Sequence, residues 1–408
     1  MSASKYLRLA PELQEQVMRS CEASELLALA CSCKILNEIA IDALYYLVDI
    51  STHNLVGLFP TSYDTLALAE NPDPHLLILD DVEKCLKRQE LFIRSMELRP
   101  DYGAHVKKFT WTYFSRCDPS NDQPVSDQPT WVALERLTAV KHLDFASMAF
   151  QRELDPPPSL FPAAEHIRLT GQMSFAFVRA MLGPKQAEHL VSLELNNLQD
   201  LGQFREGENF ELSADLSLIP ESEDKDGNSV VRHPGNMRTH LKSIEGRCPR
   251  LKYLSLRSVG NDDNSDRRWS PAHDEARYQE WASFILSIRF TLERLTIEQG
   301  LEPTQTGIGR CLMQPVQYGR PMDDRFVDHL LPVLLDGEFL ALQKIHIYGI
   351  GAAPRLEIVQ KFKPKHHELH RNIHEKLSMA LGSGVEIVVK EDATRSFFYR
   401  LNGETYDS

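Results

Sequence analysis

One apolar phrase returns along this chain from residue 100 onward: an apolar residue, two others, a second apolar residue, one other, and a third. It stands at Val106/Phe109/Trp111, Val140/Leu143/Phe145, Ala164/Ile167/Leu169 and Leu190/Leu193/Leu195. It stands again at Leu251/Leu254/Leu256, Leu292/Leu295/Ile297 and Leu342/Ile345/Ile347. Alternation over the last three positions predicts a strand with one buried face. Helical patterns precede four of the phrases, at Phe175–Leu182, Met237–Ile244, Trp281–Ile288 and Val327–Leu334. Helix then strand, repeated, predicts parallel strands with outer helices stacked one after another.

The middle positions lie 34, 24, 26, 61, 41 and 50 residues apart. Leucine-rich repeats run about 20–29 residues, so the pattern resembles that class with insertions in most units. The position where such repeats place Asn or Cys holds Met148, Gln172, Leu198, Val259, Gly300 and Ile350, which excludes an asparagine ladder. The expected fold class is therefore α/β, with an irregular leucine-rich-repeat-like solenoid over residues 101–390. The plainer alternative is an irregular α/β domain whose strands share the phrase. Two polar, acidic, turn-rich stretches, 220–230 and 260–270, are expected to be poorly ordered insertions. Asp155-Pro156-Pro157-Pro158 reads as a stiff turn or spacer.

Ahead of the repeats, three short helical patterns crowd into residues 1–50. Pro11 suits a first helical turn, and Leu13, Val17 and Cys21 recur every four residues, with Met18 widening the stripe. Ser24 is the expected N-cap of a second helix carrying Leu26, Leu27, Leu29 and Cys33. Leu36, Ile39, Ala40, Ala43, Leu44 and Leu47 give a third helix one apolar face. Three helices of about ten residues bury little on their own, so apolar surface is left for a partner or for the rest of the chain. A helical cap on the larger domain is the plainer reading. Asn71-Pro72-Asp73-Pro74 then leads into a helix with the stripe Val82, Cys85, Leu86, Gln89, Ile93, Met96, and residues 51–100 read as a helical linker region.

The N-terminal stretch resembles an F-box, the helical module that docks substrate receptors on the Skp-type adaptor of a cullin ubiquitin ligase. Leu9, Glu12 and Leu13 match the opening Leu-Pro-x-Glu-Leu, Val17-Met18 stand for the following Ile-Leu pair, and Cys33-Lys34 match the step before the third helix. Ala10 takes the usual proline's place, with Pro11 after it. Arg99-Pro100 before the strand Val106–Trp111 resembles the junction of many fungal F-box proteins. The resemblance implies an adaptor-binding surface made by Leu9, Pro11, Glu12, Leu13, Val17, Met18, Leu26 and Leu27. It implies a non-catalytic, substrate-recognition subunit of a Skp–cullin–F-box ligase that holds an unknown protein target. The alternatives are an interaction scaffold that engages no ligase, and an unrecognised enzyme.

Composition and charge narrow the classes. A formal net charge of −13 argues against nucleic acid as the ligand, because phosphate binding needs a basic surface. The run Leu76-Leu77-Ile78-Leu79 is far short of the roughly 20 residues a bilayer span needs, so no membrane partner is expected. Seven cysteines at irregular spacing predict reduced thiols and a cytoplasmic or nuclear setting. No cofactor is expected: Gly307-Ile308-Gly309 lacks a third glycine, and nucleophile phrases are absent. His366, His370 and His374 fall at helical spacing, but residues eight apart on a helix rise about 12 Å, too far to share one ion; a polar helix face is expected. Residues 391–408 are read as a C-terminal tail.

Overall fold

The computed structural model describes residues 9–51, 74–113, 117–118, 123–124, 127–148, 156–200, 222–223, 229–232, 235–260, 271–301, 320–351 and 368–390. Three helices open the chain: α1 (Pro11–Arg19), α2 (Ala23–Ala30) and α3 (Lys34–Tyr46). The third runs straight into strand β1 (Leu47–Ile50), and α4 (Pro74–Leu98) follows. Strands and helices then alternate: β2 (Lys108–Tyr113), α5 (Gln128–Glu135), β3 (His142–Met148), β4 (His166–Met173), α6 (Phe175–Met181) and β5 (Ser192–Asp200). After these come β6 (Tyr253–Gly260), α7 (Pro271–Ser287), β7 (Arg294–Leu301), α8 (Arg320–Arg325) and α9 (Leu331–Asp336), the last two joined by a π-helical turn. Strand β8 (Lys344–Tyr348), α10 (Leu369–Leu381) and β9 (Glu386–Lys390) close the described chain.

The protein is α/β, with one sheet of nine parallel strands whose spatial order is the chain order, β1 to β9, without a reversal. A short antiparallel strand, Gly235–Asn236, adds to β5 alone. Register explains why the apolar phrase recurs. Val48, Phe109, Leu143, Ile167, Leu193, Leu254, Leu295, Ile345 and Ile387 are aligned neighbours across all nine strands. A second ladder runs two residues further on, from Ile50 through Trp111 and Phe145 to Val389. All seven predicted phrases are buried throughout. The helices' buried side chains, such as Phe92, Trp131, Phe177, Phe284, Leu334 and Leu377, join these ladders in one core. Helices therefore cover the apolar face, and the residues between the ladders face the other way.

The entry to each strand repeats as well. The carbonyl of Lys107 accepts both Lys141 and His142 N–H, that of Lys141 accepts Glu165 and His166, and that of Glu165 accepts Val191 and Ser192. Val191, Lys252 and Glu293 continue the series. Gly171 (φ +93) and Gly349 (φ +81) sit two residues beyond the second ladder in β4 and just after β8, where a β-carbon would overlap the neighbouring strand's Ser147 or Gln299 carbonyl. Only glycine satisfies both the positive φ and that close approach.

Several expectations are corrected. Met237–Ile244 is turns rather than a helix, with Thr239 at φ +61, although Met237, Leu241 and Ile244 are buried as a helix face would be. The third helix ends at Tyr46, so Leu47 begins a strand. The boundary drawn at residue 50 falls at the end of the first strand, and α4 packs Cys85, Phe92, Ile93 and Met96 into the sheet's core. Within 220–230, Ser222–Glu223 pairs antiparallel with Ser229–Val231; the rest of that stretch, residues 261–270, Asp155 and 391–408 lie outside the described residues. Among the described residues no helix is long and apolar enough to cross a membrane.

Candidate functional site

The N-terminal helices form locally for identifiable reasons. The Ala10 carbonyl accepts the N–H of Leu13 and of Gln14, and Pro11 opens α1 where a missing N–H is no loss. Glu22, not Ser24, caps α2, and Glu25 reaches back to the Glu22 N–H at 2.8 Å in a reciprocal box. The three helices share a small core of Met18, Leu26, Leu36 and Ala40, with Leu9, Cys21, Leu29 and Ile39 packed at its margin. Leu13 (49% exposed), Val17 (41%) and Leu27 (53%) are left outside it, together with Ile35. Glu12 is exposed beside them. The structure thus separates the implied adaptor-binding set: Met18 and Leu26 hold the module together and are not on its surface.

This module is fixed to the sheet rather than tethered. Asp42 hydrogen-bonds His105 at 2.8 Å, Tyr45 packs on Tyr102 at 4.8 Å, and the Lys107 N–H donates to the Tyr46 carbonyl. Immediately afterwards β1 pairs with β2. From α4, Arg88 donates to the outward-facing Asp49 carbonyl at 2.7 Å, and Gln89 donates to the Thr112 carbonyl at 2.6 Å.

The opposite face of the sheet, free of helices among the described residues, carries three polar ladders that sequence reasoning did not single out. The residue between the last two apolar positions of each phrase was the available signal: Thr110, Asp144, Arg168, Glu194, Ser255, Thr296 and His346. Arg168 pairs with Asp144 at 2.9 Å and approaches Glu194 at 3.8 Å, so charges on adjacent strands neutralise one another. Toward the strand starts, the rings of His142 and His166 stack at 4.3 Å, and Arg294 lies over Tyr253. Burial first, then His166 and Lys108, push His142 down to about 4, and burial also lowers His166. Both imidazoles are neutral near pH 7. Toward the strand ends the third ladder is buried from Thr112 to Glu298, with Arg257 beside Glu298 at 3.3 Å.

Beyond β5, buried charges concentrate around α7. Arg232 pairs with Asp200 at 2.6 Å and covers the Phe175 ring. Glu280 accepts the N–H groups of Thr239 and Leu241, both at 2.6 Å, and so ties the 237–241 segment to α7. Burial pushes Glu280 up to about 7 against the pull of those donors. His240, 3.7 Å from Glu280, is pushed down to about 3 by burial and then by Arg232 and Arg277. The two shifts act oppositely on stability. Glu280's folded value exceeds the usual 4.5, so its contribution is full below about pH 4.5 and is lost as pH rises through about 7. His240's is depressed from 6.5, so its contribution is present above about pH 6.5 and is lost as pH falls toward 3. Between about 4.5 and 6.5 the two slopes cancel. Urea midpoints of His240→Leu should therefore fall from pH 4.5 to 7 relative to the parent chain; parallel profiles would refute the assignment.

Among the described residues no group of three His, Cys, Asp or Glu side chains could hold a metal. His366 lies outside them, His370 is half-buried and His374 exposed on α10. Cys21, Cys31, Cys33, Cys85 and Cys248 are free thiols. Compared with known proteins, the chain matches no family model and no curated protein.

Proposed function

We propose that the chain is the substrate-recognition subunit of a Skp–cullin–F-box-type ubiquitin ligase, working in the cytoplasm or nucleus and without chemistry of its own. In this reading α1–α3 dock the Skp-type adaptor through Leu13, Val17 and Leu27, with Leu9 and Glu12 at the margin. The nine-strand sheet and its outer helices are a degenerate leucine-rich-repeat-like solenoid that holds an unknown protein target. Ubiquitin transfer by other subunits then gains effective concentration from proximity.

One observation carries the reading: a module with a core of four buried side chains leaves three large aliphatic side chains of α1 and α2 outside it. Apolar surface on so small a unit has a use when a partner covers it. The joint to the sheet supports it further, because a receptor that positions its target needs the docking helices and the binding scaffold to move as one body. Chain-ordered parallel strands favour a stacked repeat over a doubly wound sheet, whose strand order reverses. Affinity capture of the tagged full chain from its own cells should recover a Skp-type adaptor and a cullin in comparable amounts. Recovery of neither would overturn the proposal and favour a scaffold that engages no ligase.

A further inference from the structure

The two ends of the sheet are treated differently. At β1 the outward Asp49 carbonyl is taken up by Arg88 and the strand is flanked by α4. At β9 the last strand has β8 as its neighbour among the described residues. The Glu386 N–H donates to Gln343, and the Lys390 carbonyl accepts from Gly349 and Ile350. Residues 386, 388 and 390 thus point their backbone groups inward. Backbone direction alternates along a strand, so Ile387 and Val389 aim N–H and C=O away from the sheet. Ile387, Val388 and Val389 are only half-buried. Among the described residues this apolar edge is unpaired, and such an edge is a template for another strand.

The sequence of this edge specifies which strand fits. Glu386-Ile387-Val388-Val389-Lys390 is a charge palindrome about Val388. An identical strand laid antiparallel with Val388 at the centre sets Glu386 opposite the other copy's Lys390, and Ile387 opposite Val389. Residues opposed in this way lie on the same face of the joined sheet, apolar on the core side and charged on the helix-free side. The register also matches the backbone. Ile387 and Val389, which point outward, become the pair that exchanges hydrogen bonds, and Val388 falls at the non-hydrogen-bonded site on the axis. Glu386 already meets Lys344 at 3.3 Å and the His346 ring at 3.6 Å on its own chain, so the other copy's lysine would add a second ammonium group beside an exposed carboxylate. We propose that β9 is a homodimerisation edge, joining two copies of this chain about a two-fold axis through Val388 into one continuous sheet.

The position on the axis gives a direct test. Opposed non-hydrogen-bonded residues have α-carbons about 4.5 Å apart, within the range a disulfide spans. Val388→Cys in the full chain, mildly oxidised, should give a covalent dimer whose linking peptide joins position 388 of both copies. Analytical ultracentrifugation adds a charge test. Lys390→Glu sets carboxylates opposite one another and should weaken the dimer by about tenfold, while adding Glu386→Lys together with Lys344→Glu restores opposite charges across the seam, keeps an opposite charge beside position 386 and should recover most of it. A parent chain that is monomeric throughout would overturn the proposal. So would a folded Val388→Cys variant without that linkage, as expected if residues 391–408 cover the edge, or a charge swap no tighter than Lys390→Glu alone.

Discussion

Replacing Trp111 with alanine should lower the free energy of unfolding by about 3–5 kcal/mol, whereas Trp111→Phe should cost well under half of that. Trp111 is 1% exposed and occupies the second apolar ladder between Ile50 and Phe145. It stacks on Phe109 at 5.5 Å and lies 6.0 Å from Phe92 of α4. Truncation to alanine removes that contact set and leaves a cavity the rigid ladder cannot close. Phenylalanine keeps most of the ring and removes an indole N–H that is buried without a hydrogen-bond partner. An unmade bond of that kind costs about 1–3 kcal/mol, which offsets part of the lost volume. Urea unfolding of both variants, followed by far-ultraviolet circular dichroism, makes the comparison. Equal losses would mean that the indole is not held as described.

The strand repeat was legible because parallel strands buried on one face leave a period-two trace preceded by one more buried residue. The first and last strands escaped for separate reasons. Tyr45/Val48/Ile50 fits the phrase, but the three-and-four spacing of Leu36, Ile39, Ala40, Ala43 and Leu44 runs into it and extends the helix on paper. At Ile387/Val389 the leading position is Gly384, which carries no apolar signal. Met237, Leu241 and Ile244 have helical spacing and are buried, yet the N–H groups of Thr239 and Leu241 go to Glu280, a tertiary partner that local pattern cannot reveal. Backbone hydrogen-bond demand was met elsewhere, so the helix did not form.

The proposed docking surface was legible in part. Periodicity placed Leu13 and Val17 on one stripe but could not say whether that stripe faced the module's core or its exterior. Adjacent apolar pairs divide in the same way: Met18 and Leu26 turn inward, while Val17 and Leu27 remain outside. Neighbours on a helix differ by about 100°, and only the positions of the other two helices decide which of each pair is covered. The polar ladders were hidden more deeply. Asp144, Arg168 and Glu194 lie at least 24 residues apart in sequence and become neighbours through register alone.

The most direct test of the adaptor-docking claim is calorimetric titration of purified Skp-type adaptor into the full chain and into the Leu13→Asp, Val17→Asp double variant. Both positions are more than two-fifths exposed, so the substitutions should leave the circular dichroism spectrum unchanged. Docking would then desolvate two carboxylates with no partner in an apolar contact, a penalty of several kcal/mol. The expected result is a one-to-one complex for the parent chain and at least about a hundredfold weaker binding for the variant, equivalent to roughly 2.7 kcal/mol. No binding by the folded parent chain, or equal binding by both proteins, would contradict adaptor docking through this surface.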